Sequence, residues 1–134
     1  MKKICLYCFL FLVCNIVFSQ TAETKQQYLG VLTLTQKYQT DANWTEQDGK
    51  IVMDHFQRLQ RLAKEGVIIL AGRTQLESND PDMMGLIIIA ATTKEEAEKI
   101  MHEDPAVINK IMHAKVLPFD VAVQQELLTS PEDN

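Results

Sequence analysis

Cysteine is scarce in this chain and is confined to one end of it. All three cysteines, Cys5, Cys8 and Cys14, lie within the first 19 residues. The rest of the chain therefore offers no disulfide framework, no thiolate ligand for zinc and no cysteine nucleophile. This distribution excludes the disulfide-stapled domains and the thiol enzymes as classes for the body of the chain.

Several sequence signatures of function are also missing. There is no glycine-rich phosphate loop, no dinucleotide-binding fingerprint and no Gly-x-Ser-x-Gly nucleophile motif. Beyond residue 19 the chain holds 11 basic and 18 acidic residues, a formal net charge of −7, without any cluster of Lys and Arg. We therefore expect no cofactor and no nucleic-acid partner, and we expect no docking on anionic membranes.

The first 19 residues have the pattern of a secretory signal. Lys2 and Lys3 precede a nearly continuous apolar run over residues 4–18, which is shorter than a comfortable membrane span. Ser19 is an acceptable residue before a cleavage site, so we predict cleavage between residues 19 and 20. A retained anchor, or a lipoprotein modified at Cys14, is the alternative. The favoured interpretation is an exported protein, periplasmic or secreted, with no membrane attachment after cleavage.

The body begins with a strand and a helix. After a flexible leader at residues 20–27, alternating Leu and Thr residues over 28–35 are typical of a half-buried strand. Residues 37–44 are polar and predict a loop. Thr45-Glu46-Gln47-Asp48 fits a capping pattern, and apolar residues at three- and four-residue spacing then predict a helix to about Glu65.

Two apolar runs follow this helix. Gly66 is the expected left-handed stop, and residues 67–71 are too short and too β-branched for another helix. We interpret 67–71 as a central strand buried on both faces or nearly so. Turn-forming residues over 72–81 separate it from the apolar run 86–90, so the two strands are predicted to form an antiparallel hairpin.

The last third of the chain repeats the helix–strand pattern. Residues 93–96 form a second capping pattern before a short apolar stripe, and Asp104 followed by a proline predicts a further short helix to about Lys110. Residues 111–123 predict the last strand, in which Pro118 indicates an edge position or a bulge. A polar tail at 124–134 closes the chain.

The order β-α-β-β-α-β predicts an α+β, ferredoxin-like fold with a four-stranded antiparallel sheet over residues 28–123. Both main helices would cover one face of the sheet. The other face would carry Leu, Ile and Val side chains with no cover of their own. A second copy of the chain is the simplest cover, so we expect a homodimer.

One histidine lies on the apolar side of the first helix. His55 comes three residues after Val52 and four before Leu59. In the predicted topology the helices run roughly antiparallel, which brings His55 towards Asp104. Imidazole takes and returns protons near neutral pH, and a carboxylate on its other nitrogen would orient it. Alternatively, Asp104 is only a helix cap and His55 a satisfied border residue.

The same residues resemble the YciI-like (YCII-related) family over nearly the whole body. The resemblance rests on His55, Leu59, Leu62 and Gly66, on residues 70–73, on Gly85 and Ala97, on residues 104–107, and on Val116, Pro118 and Phe119. It implies a dimeric α/β barrel built on the ferredoxin-like fold, and an active-site His–Asp pair at His55 and Asp104. One branch of the family dehydrochlorinates chlorinated aromatic diols. The chain departs from the family at Asn109-Lys110, where an Ala-Gly step is common.

These observations lead to two hypotheses. The first is a small exported lyase- or isomerase-like enzyme that acts on a small, aromatic or polar-cyclic molecule, with His55 as acid or base and Asp104 orienting it. The second is a non-catalytic ligand-binding or scaffold homodimer. Arg73 could hold an anionic substrate, although a solvated strand-end charge is the favoured interpretation. His102 and Glu103 flank Asp104 but lack a third metal ligand, so no metal is expected.

Overall fold

The computed structural model describes residues 24–123. The predicted signal at residues 1–19 and the predicted tail at 124–134 lie outside these residues. The predicted leader at 20–27 overlaps them at its end, where the first strand already begins at Gln26. In chain order the strands and helices are β1 (Gln26–Leu34), α1 (Glu46–Lys64), β2 (Ile68–Arg73), β3 (Gly85–Ala91), α2 (Lys94–His102), α3 (Pro105–Ile108) and β4 (Met112–Phe119).

The four strands form one antiparallel sheet in the order β2-β3-β1-β4. This order, with two connections that cross over, confirms the predicted α+β, ferredoxin-like fold. The sheet is open, since β2 and β4 lie at opposite edges. The edge position predicted from Pro118 is confirmed, because β1 is the one strand within residues 24–123 that pairs with β4. Closure into a dimeric barrel stays a prediction.

The core lies between α2 and one face of the sheet. Alternate residues of β1 and β3 are buried, with Ile87, Ile89 and Ala91 each no more than 2 % exposed. Ala97 and Met101 of α2 pack against them. α2 approaches so closely at Gly30 that an added Cβ would lie 2.8 Å from the Sδ atom of Met101. Burial on this face alone agrees with a sheet covered on one side.

The strand after α1 differs from its prediction. We expected a central strand buried on both faces or nearly so at 67–71, but β2 is an edge strand in which Ile68 alone is buried. A register irregularity lies between Ile68 and Leu70, and Leu70 is 59 % exposed. The continuous apolar run was misleading because residues 68–71 line an open groove instead of a closed core.

Helix α1 begins and ends at the predicted signals. The Thr45 side chain accepts from the Asp48 backbone, and the Asp48 carboxylate accepts from the Thr45 backbone, which completes a capping box. Gly66 has a φ of 71°, the left-handed conformation that suits glycine after a helix. α1 packs against β2 and α3. None of the helices between residues 24 and 123 is long and apolar enough to cross a membrane.

The segment before α1 is more ordered than the predicted loop. It contains two short 3-10 helices, Gln36–Gln39 and Asp41–Asn43. Tyr38 is buried, and its ring packs edge-on against Trp44 with centroids 4.9 Å apart. Its hydroxyl donates to Asp48 at 2.9 Å, so this segment is attached to the beginning of α1.

Candidate active site

Helix α1 and the beginning of α3 bring His55 and Asp104 into direct contact. Nδ1 of His55 lies 2.8 Å from each carboxylate oxygen of Asp104. An ionised carboxylate only accepts hydrogen bonds, so Nδ1 carries the hydrogen of this contact. In the neutral ring, Nε2 then keeps its lone pair and is the nitrogen that can accept a proton. Contact is established, whereas a catalytic role for the two residues stays a prediction.

Asp104 also caps α3. Its Oδ1 atom accepts from the backbone N–H of Ala106 at 2.9 Å, and its side chain is only 3 % exposed. Pro105 occupies the first helical position, where the lack of an N–H costs nothing. The cap therefore fixes the carboxylate in place.

Arg58 forms a cluster with His55 and Asp104, and it was not predicted from the sequence. Arg58 follows His55 by three residues, so both project from the same side of α1. Its Nη2 atom donates to the backbone oxygen of Ile100 at 2.8 Å, and its Nη1 atom lies 3.7 Å from Oδ2 of Asp104. The i, i+3 spacing from His55 is the sequence signal that could have found it. Arg58 joins α1 to the end of α2 and supplies a positive charge beside the Asp104 carboxylate.

A groove of about 750 Å³ opens between α1 and the sheet, and His55 lines it. Its walls are mostly apolar side chains of α1 and β2. Phe56 and Met53 of α1 are both more than half exposed and form part of this wall. Further lining residues are Leu32, Leu34, Val52, Leu59, Ile68, Ile69, Leu70, Met83, Ile87 and Met112. The arrangement gives a histidine, oriented by a buried carboxylate, access to an apolar cleft of ligand size.

Arg73 lines the same groove, at the end of β2. It is exposed, and the structure brings it into the groove of His55 but not into the His55–Asp104 contact. Its side chain makes no hydrogen bond or ion pair with any residue of 24–123. Both alternatives for Arg73, a ligand contact and a solvated charge, are thus still compatible with its position.

No metal centre is assembled in the part of the chain that the structure describes. Among residues 24–123, no three His, Cys, Asp or Glu side chains lie close enough together to hold an ion. His102 and Glu103 are exposed at the end of α2, and Glu103 lies 3.9 Å from Arg58. His113 is exposed on β4. Met83 lines the groove.

Comparison with known proteins places the chain in a family. Residues 31–120 match the model of the YCII-related domain, which is more than half of the chain. The chain belongs to the YCII-related family. The resemblance predicted from the sequence is therefore confirmed, and the matched range contains all of α1, both residues of the His–Asp contact and the whole groove lining. A search of curated proteins gives no match to this YCII-related chain.

Proposed function

We propose that this protein is an acid–base enzyme that acts on a small molecule in the groove, with His55 as the proton-transfer residue. The observation that carries the proposal is the contact of His55 Nδ1 with both oxygens of Asp104, 2.8 Å each, on the wall of an apolar groove. With Nδ1 occupied, Nε2 is the nitrogen available to a bound molecule. The His55 side chain is only 12 % exposed, so little water competes with a bound molecule for this base.

The same geometry supports a lyase- or isomerase-type reaction. Nε2 would remove a proton from a carbon of the substrate, and the imidazolium so formed would keep its Nδ1–H on the Asp104 carboxylate. Returning the proton to another carbon completes an isomerisation. Expulsion of a leaving group with the electron pair, followed by loss of the proton from Nε2 to water, completes an elimination. Neither outcome requires a redox partner.

Deuterium incorporation tests this proposal across several classes of substrate at once. The purified protein is incubated in D₂O with a panel of enolisable ring ketones, lactones and chlorinated aromatic diols, and exchange or chloride release is measured by mass spectrometry and ion chromatography. We expect one class to react, and His55→Gln to lower the rate by about 10²- to 10⁴-fold, the range of general acid–base catalysis. His113→Gln, an exposed histidine on β4, is the matched control and should leave the rate unchanged.

A non-catalytic binding protein is the second candidate. The structural role of Asp104 favours it. Asp104 accepts from the Ala106 N–H as the cap of α3 and lies near Arg58, and both contacts exist whether or not His55 reacts. Under this proposal the groove binds a ligand and the His–Asp contact only joins α1 to α3. Ligand binding that survives His55→Gln, without exchange in any compound of the panel, would support it.

We further propose that the protein is a homodimer. Leu29, Ile88 and Leu117 alternate with the buried residues of their strands and therefore project from the face opposite the helices. Phe119, on the same face, is 38 % exposed. A second copy would bury this apolar surface. Light scattering at micromolar concentration should give twice the chain mass, and Leu117→Glu should convert the protein to monomers.

Export is likewise a proposal, supported by the basic residues Lys2 and Lys3 and the apolar run at 4–18. The mass of the protein recovered from the periplasm or medium should correspond to a chain that begins at Gln20. A full-length product retained in the membrane fraction would contradict it.

A further inference from the structure

We propose that Arg73 binds the carboxylate of a small apolar acid in the groove. This inference rests on the proposed function for the choice of site, and it deepens that function by naming an organic acid as the substrate class. Four observations support it: the composition of the groove lining, the lack of a partner for Arg73, the open floor beside it, and its position relative to His55.

The lining of the groove is apolar and carries no negative charge. Of the lining residues within 24–123, His55, Gln60 and Arg73 are the ones with polar side chains, and none is Asp or Glu. A guanidinium beside apolar walls binds an anion more strongly than the same group in open water, because less water competes for its hydrogen bonds. The lining therefore favours a ligand with an apolar body and one anionic group.

Arg73 differs from the other two arginines of the chain in having no partner among the residues that the structure describes. Arg58 contacts Ile100, Glu103 and Asp104, and Arg61 pairs with Glu65 at 3.1 Å. Arg73 contacts no acceptor within residues 24–123, although acidic residues are present in the neighbouring β2–β3 connection, at Glu77, Asp80 and Asp82. Its five N–H donors are thus available to a ligand, and their planar arrangement matches a carboxylate.

The floor of the groove is open beside Arg73. In the sheet, Arg73 pairs with Gly85, and Gly85 pairs with Leu32. Side chains directly opposite one another project from the same face, so Gly85 lies between Leu32 and Arg73 on the groove side. A Cβ at Gly85 would lie 3.4 Å from Cβ of Leu32 and would occupy this space. Glycine leaves room there for part of a ligand.

Arg73 and the first half of α1 lie at the same end of the sheet. Leu32, which is level with Arg73 in the register, is two residues before Leu34. Leu34 belongs to a cluster against which Val52 packs, and Val52 precedes His55 by less than one turn of α1. A ligand whose carboxylate contacts Arg73 therefore extends along the groove towards His55 and places its carbon skeleton against α1.

A matched pair of probes tests the charge requirement. 1-Naphthaleneacetate and its neutral analogue 1-naphthaleneacetamide have nearly the same size and ring, and they differ in the anionic group. Binding to the purified protein is followed by NMR of ¹³C-methyl methionine, since Met53, Met83 and Met112 line the groove whereas Met101 lies in the core. We expect the acetate to bind more tightly than the amide and to shift the Met53 and Met83 signals.

Two charge-removing variants separate a specific contact from general attraction. Arg73→Gln should raise the Kd of the acetate by about tenfold or more, the loss typical of a hydrogen bond to a charged group, and should change the Kd of the amide less than about twofold. Arg61→Gln removes the same charge from an exposed position outside the groove and should change neither value. Arg73→Lys keeps the positive charge but loses the planar pair of N–H donors, so it should give an intermediate Kd. It also provides a second variant if Arg73→Gln folds poorly.

The proposal is overturned if acetate and amide bind equally, if Arg61→Gln weakens the acetate as much as Arg73→Gln does, or if the groove methionines do not shift. Its failure is distinct from that of the proposed function. Proton exchange that depends on His55 but not on Arg73 would keep the enzyme and reject the acid substrate. Binding of the acetate that depends on Arg73, without any exchange, would keep the acid-binding site and reject catalysis.

Discussion

Arg58 donates a hydrogen bond from Nη2 to the backbone oxygen of Ile100 at 2.8 Å, and its other terminal nitrogen lies 3.7 Å from Asp104. The contact crosses from the middle of α1 to the last turn of α2, where carbonyl groups lack helical partners. One partly buried guanidinium thus connects the helix that carries the histidine to the chain segment that carries the aspartate. Its side chain is 14 % exposed, so water can replace these contacts only in part.

Removal of Arg58 should therefore destabilise the protein. Arg58→Met keeps much of the apolar stem but leaves the Ile100 carbonyl without its donor, and we expect a loss of about 1.5–3 kcal/mol in the free energy of unfolding. Urea denaturation monitored by circular dichroism measures it. Arg61→Met, on the exposed side of the same helix, should cost within about 0.5 kcal/mol. Equal effects of the two variants would show that the contact with Ile100 contributes nothing.

Asp104 has two separable roles, helix cap and partner of the histidine. Asp104→Asn keeps an acceptor for the Ala106 N–H, so α3 should remain capped, but it removes the carboxylate that selects the Nδ1–H form of His55. We expect the ¹⁵N spectrum of the His55 ring to change from one dominant neutral tautomer to a mixture of two. An unchanged ring spectrum would mean that Asp104 does not select the tautomer.

The matched control for this prediction is a variant that loses a cap alone. Thr93→Ala removes the acceptor of the Glu96 N–H at the beginning of α2 and should cost about 1 kcal/mol. It should leave the His55 ring spectrum as it is in the unchanged protein, because Thr93 lies at the beginning of α2 and Arg58 contacts the last turn of that helix.

Local patterns predicted this fold better than they predicted depth of burial. The helix caps at Thr45 and Asp104 and the helix stop at Gly66 involve only residues that are close in sequence. The sequence therefore predicted them correctly. Whether β2 lies at an edge depends on which strands pair, and strand pairing is not visible in the local sequence. Its apolar run alone therefore led to the wrong prediction of a central strand. An apolar strand that lines a groove and an apolar strand in a core have the same local pattern.

The candidate site shows the same limit. His55 was identified because it lies on an apolar stripe, and the predicted topology correctly placed it near Asp104. Arg58 was overlooked because an arginine on a helix is ordinarily solvated. Its acceptor is the backbone oxygen of Ile100, and the sequence pattern of side chains does not predict a contact with a backbone atom. Whether Arg73 shares a groove with His55 depended on the separation of α1 from β2, which is a tertiary property.

Asp48 should make stability depend on pH in the acid range. The side-chain hydroxyl of Thr45 donates to its carboxylate at 2.7 Å and the Thr45 backbone N–H at 2.9 Å, and these bonds hold the pKa of Asp48 below its usual range. A lowered pKa in the folded state stabilises the fold above the unfolded value of about 3.9, and this contribution is lost as pH falls through the folded value.

We therefore expect Asp48→Asn to lower the urea midpoint at pH 7 and to lower it progressively less as pH falls below about 4, where the native carboxyl also becomes protonated. The measurement is a series of urea denaturation curves from about pH 7 to about pH 2.5. Asp54→Asn, an exposed residue on the same helix, should follow the unchanged protein at every pH. A constant difference between Asp48→Asn and the unchanged protein across the series would contradict the assignment.

Gly30 and Met101 should be energetically coupled. A Cβ at Gly30 would lie 2.8 Å from Sδ and 2.9 Å from Cε of Met101, so Gly30→Val should overpack the core and cost about 1–3 kcal/mol in unfolding free energy. Met101→Ala leaves a cavity in the same place and should cost about 2–5 kcal/mol. In the double variant the valine occupies space that the methionine vacated, so the combined loss should fall short of the sum by at least about 0.5 kcal/mol.

Gly49→Ala, whose Cβ would contact nothing within 4 Å in the first half of α1, is the control and should stabilise the protein by about 0.5–1 kcal/mol. Additive losses for Gly30→Val and Met101→Ala, measured by urea denaturation, would show that α2 does not pack on β1 as closely as the structure indicates.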